Sequence, residues 1–181
     1  RGTAPQGRRP TGPPGTGQAP RPGAGAVKGT VFCRPLAVRR VSRHNYFWGG
    51  KSLVIGWDSR WGQLTKVWAD GSSTTGTYLP YGLDCSGFVD WVFYNVTDGE
   101  YVIGHGGGAH IQHTYCTPIS WDETQPGDLV FYPGDEHVGI VGGRDESGNL
   151  LIIHCAFSQN NVVITGLEGF TSIGRPLYYG E

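Results

Sequence analysis

A change in hydrophobic period partway along the chain is the feature that most constrains its fold. In residues 86–96 the apolar side chains recur at a helical spacing, which predicts a buried amphipathic helix. The last third instead contains short β-rich runs, which are separated by turn signals rich in Gly, Asn and Asp. The runs are Asp128–Tyr132, His137–Gly142, Leu150–Cys155 and Val162–Thr165. A helix followed by consecutive hairpin strands predicts an α+β fold with an antiparallel meander.

The N-terminal part of the chain differs in composition from the rest. Residues 1–26 contain seven Gly, six Pro and four Arg, with no acidic and no aromatic residue. Such a segment cannot bury enough apolar surface to fold. We therefore expect residues 1–44 to be a disordered basic arm or linker, either from an upstream envelope-binding module or membrane anchor or foreign to the domain. Residues 45–181 are expected to form one folded domain.

Charge is distributed unevenly along the chain. Ten of the fourteen Lys and Arg precede Asp58, the first acidic residue, so residues 58–181 contain four basic and all fifteen acidic residues. Because phosphate attraction requires a basic surface, we predict no nucleic-acid partner for this body. No window of the sequence approaches the length of a membrane span.

Cys85 stands where a turn-forming segment meets the predicted helix. The unpaired N–H groups and the positive end of the dipole at a helix start stabilise a thiolate, and they can also hold an oxyanion. A single cysteine in an apolar context is usually an inert core residue. Here Asp84, Ser86 and Gly87 surround it with polar and small residues, which favours a nucleophile that is open to substrate.

Two histidines in the predicted meander are candidates for a base and an orienting group. His137 opens one strand, and His154 lies within the next at a place otherwise filled by aliphatic residues. Such residues on adjacent antiparallel strands can share one face of the sheet, and a helix packed on that face would add Cys85. The imidazole then takes the thiol proton, and the resulting ion pair lowers the thiol pKa. Taken alone, His137 is equally consistent with a solvated turn residue.

A second cluster contains residue types that bind zinc. Its members fall within twelve residues: His105, His110, His113 and Cys116. Their spacing matches no standard zinc finger, so we predict no metal and no other cofactor, and we interpret this segment as a loop over the cleft. The four cysteines form no obvious disulfide framework, and a single bridge from Cys116 to Cys33 or Cys155 stays open.

Five sequence blocks follow one another along the chain. They are Tyr46–Gly50, Gly82–Val89, Pro126–Phe131, His137–Val141 and Ile153–His154. Together they resemble the ordered motifs of the NlpC family of papain-like cell-wall endopeptidases, over about residues 45–179. The resemblance implies a papain-like domain in which Cys85 is the nucleophile, His137 the base and His154 the orienting residue.

The resemblance also implies a substrate. Family members commonly cut peptidoglycan stem peptides between the γ-carboxyl of D-glutamate and the next diamino acid, and many require a free N-terminal L-alanine. Tyr46, Asp84 and Ser86 match the residues that hold the N-terminal part of that peptide, and a carboxylate suits an ammonium group. We expect a bacterial thiol endopeptidase that forms a thioester, is a monomer, and is extracellular or exposed at the cell envelope.

The chain departs from the family pattern in three places. Residues 51–81 replace a short connection, so a long ordered loop is expected to restrict or re-aim the cleft. Pro35–Arg43 is a weak match to the helix that usually precedes the tyrosine, and Cys155 stands where a small residue is common. Three tryptophans of the long loop are expected to form its core rather than a sugar platform: Trp57, Trp61 and Trp68.

Three other functions remain open from the sequence. A non-catalytic envelope-binding module on the same scaffold would bind muropeptides without turnover. A papain-like amidase or acyltransferase would use the same three side chains. A zinc hydrolase would instead use the histidine cluster.

Overall fold

The computed structural model describes residues 45–179, except for the side chain of His105. The expectations for the arm at residues 1–44, for the helix match at Pro35–Arg43 and for Cys33 lie outside the described residues. Within residues 45–179, no helix is both long and apolar enough to span a bilayer.

Eight strands and two α-helices form the regular structure of the described residues. The strands are β1 (Leu64–Lys66), β2 (Tyr78–Pro80), β3 (Cys116–Pro118), β4 (Leu129–Phe131), β5 (Val138–Arg144), β6 (Leu150–Ala156), β7 (Asn161–Thr165) and β8 (Ser172–Pro176). The helices are α1 (Cys85–Val96) and α2 (Ala109–Thr114). Short 3-10 turns lie at Ile103–Gly106, Trp121–Glu123, Pro133–Asp135 and Leu177–Tyr179.

Six of the strands form one antiparallel sheet in the order β3–β8–β4–β5–β6–β7. The predicted meander from β4 to β7 is confirmed, and so is the α+β class. The sequence did not predict that β8 returns to pair with β4 and β3. Strands β8 and β3 thereby extend the sheet beyond β4, and β3 is the edge strand opposite β7.

Helix α1 begins at Cys85 because Asp84 caps it. Asp84 has an extended backbone, and its carboxylate accepts a hydrogen bond from the N–H of Gly87 at 2.6 Å. Gly87 is required at this position because a Cβ atom there would lie 2.0 Å from the carbonyl oxygen of Gly50. The predicted helix is thus confirmed, and it starts one residue earlier than its periodicity indicates.

The sheet buries side chains on both faces, and α1 covers one of them. The larger core joins Phe88, Val89 and Phe93 of α1 to residues of β4, β5 and β6 that include Phe131 and Ile140. The second core lies on the other face, where Val130, Val141 and Ile152 pack with Phe170 and Ile173. Successive strand residues therefore alternate between the two cores.

Residues 51–81 form an insertion whose two ends meet. The hydroxyl of Tyr81 donates to the carbonyl oxygen of Lys51 at 2.7 Å. Between these ends, β1 and β2 pair as an antiparallel hairpin, which the sequence did not predict. Each strand has only three residues, and a run of this length shows no recognisable period.

Only part of the expected tryptophan core of the insertion is observed. Trp61 is buried and packs edge-on against Trp91, with ring centroids 5.6 Å apart. The expectation is wrong for Trp57 and Trp68, which are 55% and 73% exposed. Trp68 instead lies under the ammonium group of Lys66, at 4.5 Å from its ring centroid.

Truncation of Phe93 tests the packing of α1 on the sheet. Phe93 is fully buried, so Phe93→Ala is expected to lower the free energy of unfolding by about 3–5 kcal/mol through lost burial and a residual cavity. Val96 ends the same helix and is 42% exposed, so Val96→Ala should cost about 1 kcal/mol or less. Urea denaturation followed by circular dichroism measures both values. Equal losses would contradict the observed orientation of the helix.

Candidate active site

Cys85 lies at the point where the start of α1 meets the start of β5. Its side chain is only 6% exposed. Hydrogen bonding from the backbone N–H groups of Val138 and Ser86 acts to lower the pKa of its thiol. Since Val138 follows His137 directly, the fold brings the predicted nucleophile to the end of the strand that carries the predicted base.

The two predicted histidines contact each other directly. His137 Nε2 lies 2.7 Å from His154 Nδ1, as expected for side chains on one face of adjacent strands. This face is not the one that α1 covers, contrary to expectation. Ile153 and Cys155 belong to the core under α1, so by alternation His154 points to the opposite face, where it meets the ring of Phe170. Cys85 and His137 therefore reach the same end of β5 from opposite faces of the sheet.

A chain of hydrogen bonds fixes the proton positions on both imidazoles. His154 Nε2 lies 3.1 Å from Thr165 Oγ1, which in turn donates to the carbonyl oxygen of Gly166 at 3.0 Å. The carbonyl oxygen of Gly166 can only accept a hydrogen bond, so the Thr165 hydroxyl donates to it. The same hydroxyl then accepts a hydrogen bond from His154 Nε2–H. A neutral His154 with its proton on Nε2 accepts a hydrogen bond at Nδ1, and His137 Nε2–H donates it. The Nδ1 atom of His137 is then left as a proton acceptor. Thr165 is a site residue that the sequence did not predict.

Burial keeps both partners of the predicted pair neutral. Burial raises the pKa of the Cys85 thiol to about 12, and the nearby Asp84 carboxylate adds to this effect. Burial and the neighbouring His154 lower the pKa of His137 to about 4. The pKa of the Cys85 thiol is thus raised, whereas an ion pair with His137 was expected to lower it. Among the described residues, no hydrogen bond joins the side chains of Cys85 and His137.

The three predicted substrate-binding residues all surround Cys85. Tyr46 is nearly buried, and burial together with Cys85 and Asp84 raises the pKa of its hydroxyl. The carboxylate of Asp84 accepts from the backbone of Gly49 at 3.1 Å and from the hydroxyl of Ser86 at 2.9 Å. Asp84 and Ser86 therefore have partners inside the protein.

Lys51 is a further site residue that the sequence did not predict. Its Nζ atom lies 2.6 Å from Ser86 Oγ and 3.5 Å from Asp84 Oδ1. The available signal was its place directly after the Tyr46–Gly50 block.

An open cleft of about 610 Å³ borders the two histidines. Its lining combines Tyr46 and Trp48 with Gly71–Ser73 of the insertion, in addition to His137 and His154. The side chain of Trp48 holds this part of the insertion through a hydrogen bond from Nε1 to the carbonyl oxygen of Asp70 at 2.8 Å. The expectation that residues 51–81 shape the cleft agrees with this wall.

Two histidines of the candidate zinc cluster contact the carboxylate of Asp135, which lies outside that cluster in the sequence. His110 Nδ1 and His113 Nδ1 lie 3.0 and 2.7 Å from the two carboxylate oxygens of Asp135. Asp135 has a φ of 58° in the turn just before His137, so the two imidazoles hold that turn. Among the side chains that the structure describes, which exclude that of His105, no group of three or more His, Cys, Asp or Glu is arranged to hold a metal ion.

The described cysteines are free thiols. Cys85, Cys116 and Cys155 form no disulfide with one another, so a bridge between Cys116 and Cys155 is absent from this part of the chain. Cys155 is fully buried and donates to the carbonyl oxygen of Leu83 at 3.2 Å.

Comparison with known proteins gives one consistent family. Over 74 residues the chain is 40% identical to the probable endopeptidase p60 of Listeria grayi, a match that covers 39% of this chain and only 14% of that protein. The solved structure of the peptidoglycan hydrolase RipB from Mycobacterium tuberculosis matches with a TM-score of 0.54 and 25% identity, over 76% of this chain and 60% of that one.

A second solved structure shares the fold. RipD from Mycobacterium tuberculosis is described as a non-catalytic NlpC/p60 domain protein adapted to peptidoglycan binding. It matches with a TM-score of 0.53 and 15% identity, over 77% of this chain and 92% of that one. The model of the NlpC/P60 family itself matches residues 43–172. The chain belongs to the NlpC/P60 family.

Proposed function

We propose that the protein is a cysteine endopeptidase that hydrolyses peptidoglycan stem peptides at the bacterial cell envelope. The bond proposed is the one between the γ-carboxyl of D-glutamate and the following diamino acid. One observation above all supports this activity: the hydrogen-bond chain from Gly166 to His137 leaves the Nδ1 atom of His137 as a proton acceptor next to the strand end that contacts Cys85. The likeness to the peptidoglycan hydrolase RipB supports the substrate class.

The proposed reaction passes through a thioester. Cys85 Sγ attacks the γ-glutamyl carbonyl carbon while its proton moves to His137 Nδ1. The backbone N–H of Cys85 at the start of α1 donates to the oxyanion that forms. The intermediate collapses, the C–N bond breaks, and His137 returns the proton to the leaving amine. Water then attacks the thioester and gives a proton to His137. The C–S bond breaks, the acid is released, and His137 returns the proton to Cys85 Sγ.

Proton transfer accompanies the attack in this mechanism, because thiol and imidazole are both neutral at rest. Once His137 is protonated, its Nε2–H group still donates to His154. That contact holds the ring in place during both half-reactions. We assign His154 the orienting role for this reason.

The N-terminal part of the peptide is proposed to contact Tyr46, Asp84 and Ser86. Tyr46 lines the cleft beside the histidines, which supports its role. A substrate amine that reaches Asp84 and Ser86 has to share them with the ammonium group of Lys51.

A second candidate function is peptidoglycan binding without turnover. The buried thiol of Cys85, whose pKa is raised, favours it, and so does the shared fold of RipD. The two candidates differ in whether Cys85 reacts, so one experiment separates them.

Substitution of the nucleophile tests the proposed function. Cys85→Ala is expected to reduce cleavage of defined muropeptides to background, a loss of at least about a thousandfold, because alanine has no thiol to form the thioester. Mass spectrometry of the products measures cleavage and identifies the bond. Cys116→Ala is the matched control and should cleave at the wild-type rate, since Cys116 lies on the edge strand β3, away from His137 and His154. Wild-type protein that binds muropeptides without cleaving them would support the binding module instead.

The pH dependence tests the role of His137. Its pKa is lowered from about 6.5 to about 4, so the neutral base persists in mild acid, and kcat/KM should hold down to about pH 5. The same shift means that the folded state binds fewer protons than the unfolded state between these pH values. Stability should therefore fall as the pH drops through this window, and it should fall less steeply in His137→Gln. An acid limb of kcat/KM near pH 6.5 would contradict the lowered pKa.

A further inference from the structure

The ammonium group of Lys51 contacts both chain neighbours of the nucleophile. Nζ lies 2.6 Å from the hydroxyl oxygen of Ser86 and 3.5 Å from the carboxylate of Asp84. It also donates to the carbonyl oxygen of Gly107 at 3.1 Å. One cation thus joins the first residue of the insertion, the start of α1 and the loop that precedes α2.

A second carboxylate faces the same ammonium group from further along α1. Asp90 is 1% exposed, and its Oδ2 atom lies 3.6 Å from Lys51 Nζ. The other oxygen accepts a hydrogen bond from Gln112 Nε2 at 2.8 Å. Burial raises the pKa of Asp90 to about 7, and the Lys51 charge opposes this rise. A buried carboxylate that loses its cation is costly, so Lys51 and Asp90 depend on each other.

The charges of this group act on the Cys85 thiol. The Asp84 carboxylate raises the pKa of the thiol, while the Lys51 ammonium lowers it. The other titratable groups whose charges interact with the thiol are Tyr46 and Cys155, and neither supplies a positive charge. His137, which directly precedes the strand end that contacts Cys85, is neutral at rest. Asp84 also caps α1, so the same carboxylate fixes the helix start that carries Cys85. Lys51 offsets the penalty that this cap places on a developing thiolate.

We propose that Lys51 is a positioning residue for the reaction at Cys85, because its ammonium group balances the Asp84 carboxylate beside the nucleophile and holds the start of α1 in place. This inference rests on the proposed function for its effect on turnover. Its effect on the thiol can be measured without any peptidoglycan substrate.

Lys51→Met tests the inference, since it keeps an unbranched side chain and removes the charge. The rate constant for alkylation of Cys85 by iodoacetamide is measured between pH 7 and 9, with the Cys85 peptide resolved by mass spectrometry. A rise of one pKa unit in the thiol gives about a tenfold slower reaction. We expect a loss of this size in the alkylation rate of Lys51→Met and a similar loss in kcat. Lys51→Arg should retain most of the reactivity.

Two controls separate this role from a structural one. Lys66→Met removes a lysine of the same insertion that lies over Trp68, and it should react at the wild-type rate. Lys51→Met combined with Asp90→Asn removes the unpaired buried charge, so it should regain stability while Cys85 stays slow. If this double variant regains wild-type alkylation and kcat, Lys51 acts only by neutralising Asp90 and the inference is overturned.

Alkylation and cleavage can fail independently. An unchanged alkylation rate in Lys51→Met overturns the inference, whatever happens to turnover. If the wild type cleaves no muropeptide while Lys51→Met still slows alkylation, the proposed function fails and the role of Lys51 at Cys85 is supported.

Discussion

The carboxylate of Asp84 is the contact on which the rest of the site depends. It accepts from the backbone of Gly87 and of Gly49, so it fixes the start of α1 against the loop that carries Tyr46. This position determines where Cys85 meets β5. The same negative charge opposes a thiolate on the next residue. The carboxylate that caps the helix therefore disfavours the thiolate that the proposed reaction needs on the next residue. The backbone N–H groups and the Lys51 ammonium group reduce this effect.

The carbonyl group of Gly166 determines the protonation of His137, the proposed base, from the other end of the site. Because a carbonyl oxygen only accepts hydrogen bonds, it sets the direction of the hydrogen bonds through Thr165 and His154. These bonds leave Nδ1 of His137 as the nitrogen that can accept a proton. His154, the proposed orienting residue, thus transmits the direction of the hydrogen bonds while it is neutral. A carboxylate at this place would raise the pKa of His137, whereas the neighbouring imidazole helps to lower it.

Periodicity predicted helix α1, and turn residues predicted the strands of the meander. Helix α1 spans three turns and shows its period, whereas each meander strand, including the three-residue β4, is bounded by turn residues. The pairing of His137 with His154 followed from adjacent strands. The hairpin of β1 and β2, the six-residue α2 and the three-residue β3 are too short to carry a period.

The rest of the site depends on packing, which the sequence does not display. The direction of the pKa shift at Cys85 reflects how deeply the thiol is buried, and a helix start alone indicates the opposite sign. The face that His154 occupies depends on where α1 packs. Lys51 reaches Ser86 across thirty-five positions of sequence, so only the folded chain brings the two together.

The contact between the two ends of the insertion has a consequence for how such domains diversify. Because the Tyr81 hydroxyl is hydrogen-bonded to Lys51, the chain enters and leaves the insertion at neighbouring points of the domain. Gly71–Ser73 form a wall of the cleft, while His137 and His154 come from a later part of the chain, directly before β5 and within β6. The cleft wall and the two imidazoles are thus encoded in separate stretches of the gene. Changes of length or sequence between Lys51 and Tyr81 can reshape the cleft while the hydrogen-bond chain from His137 to Gly166 is inherited intact.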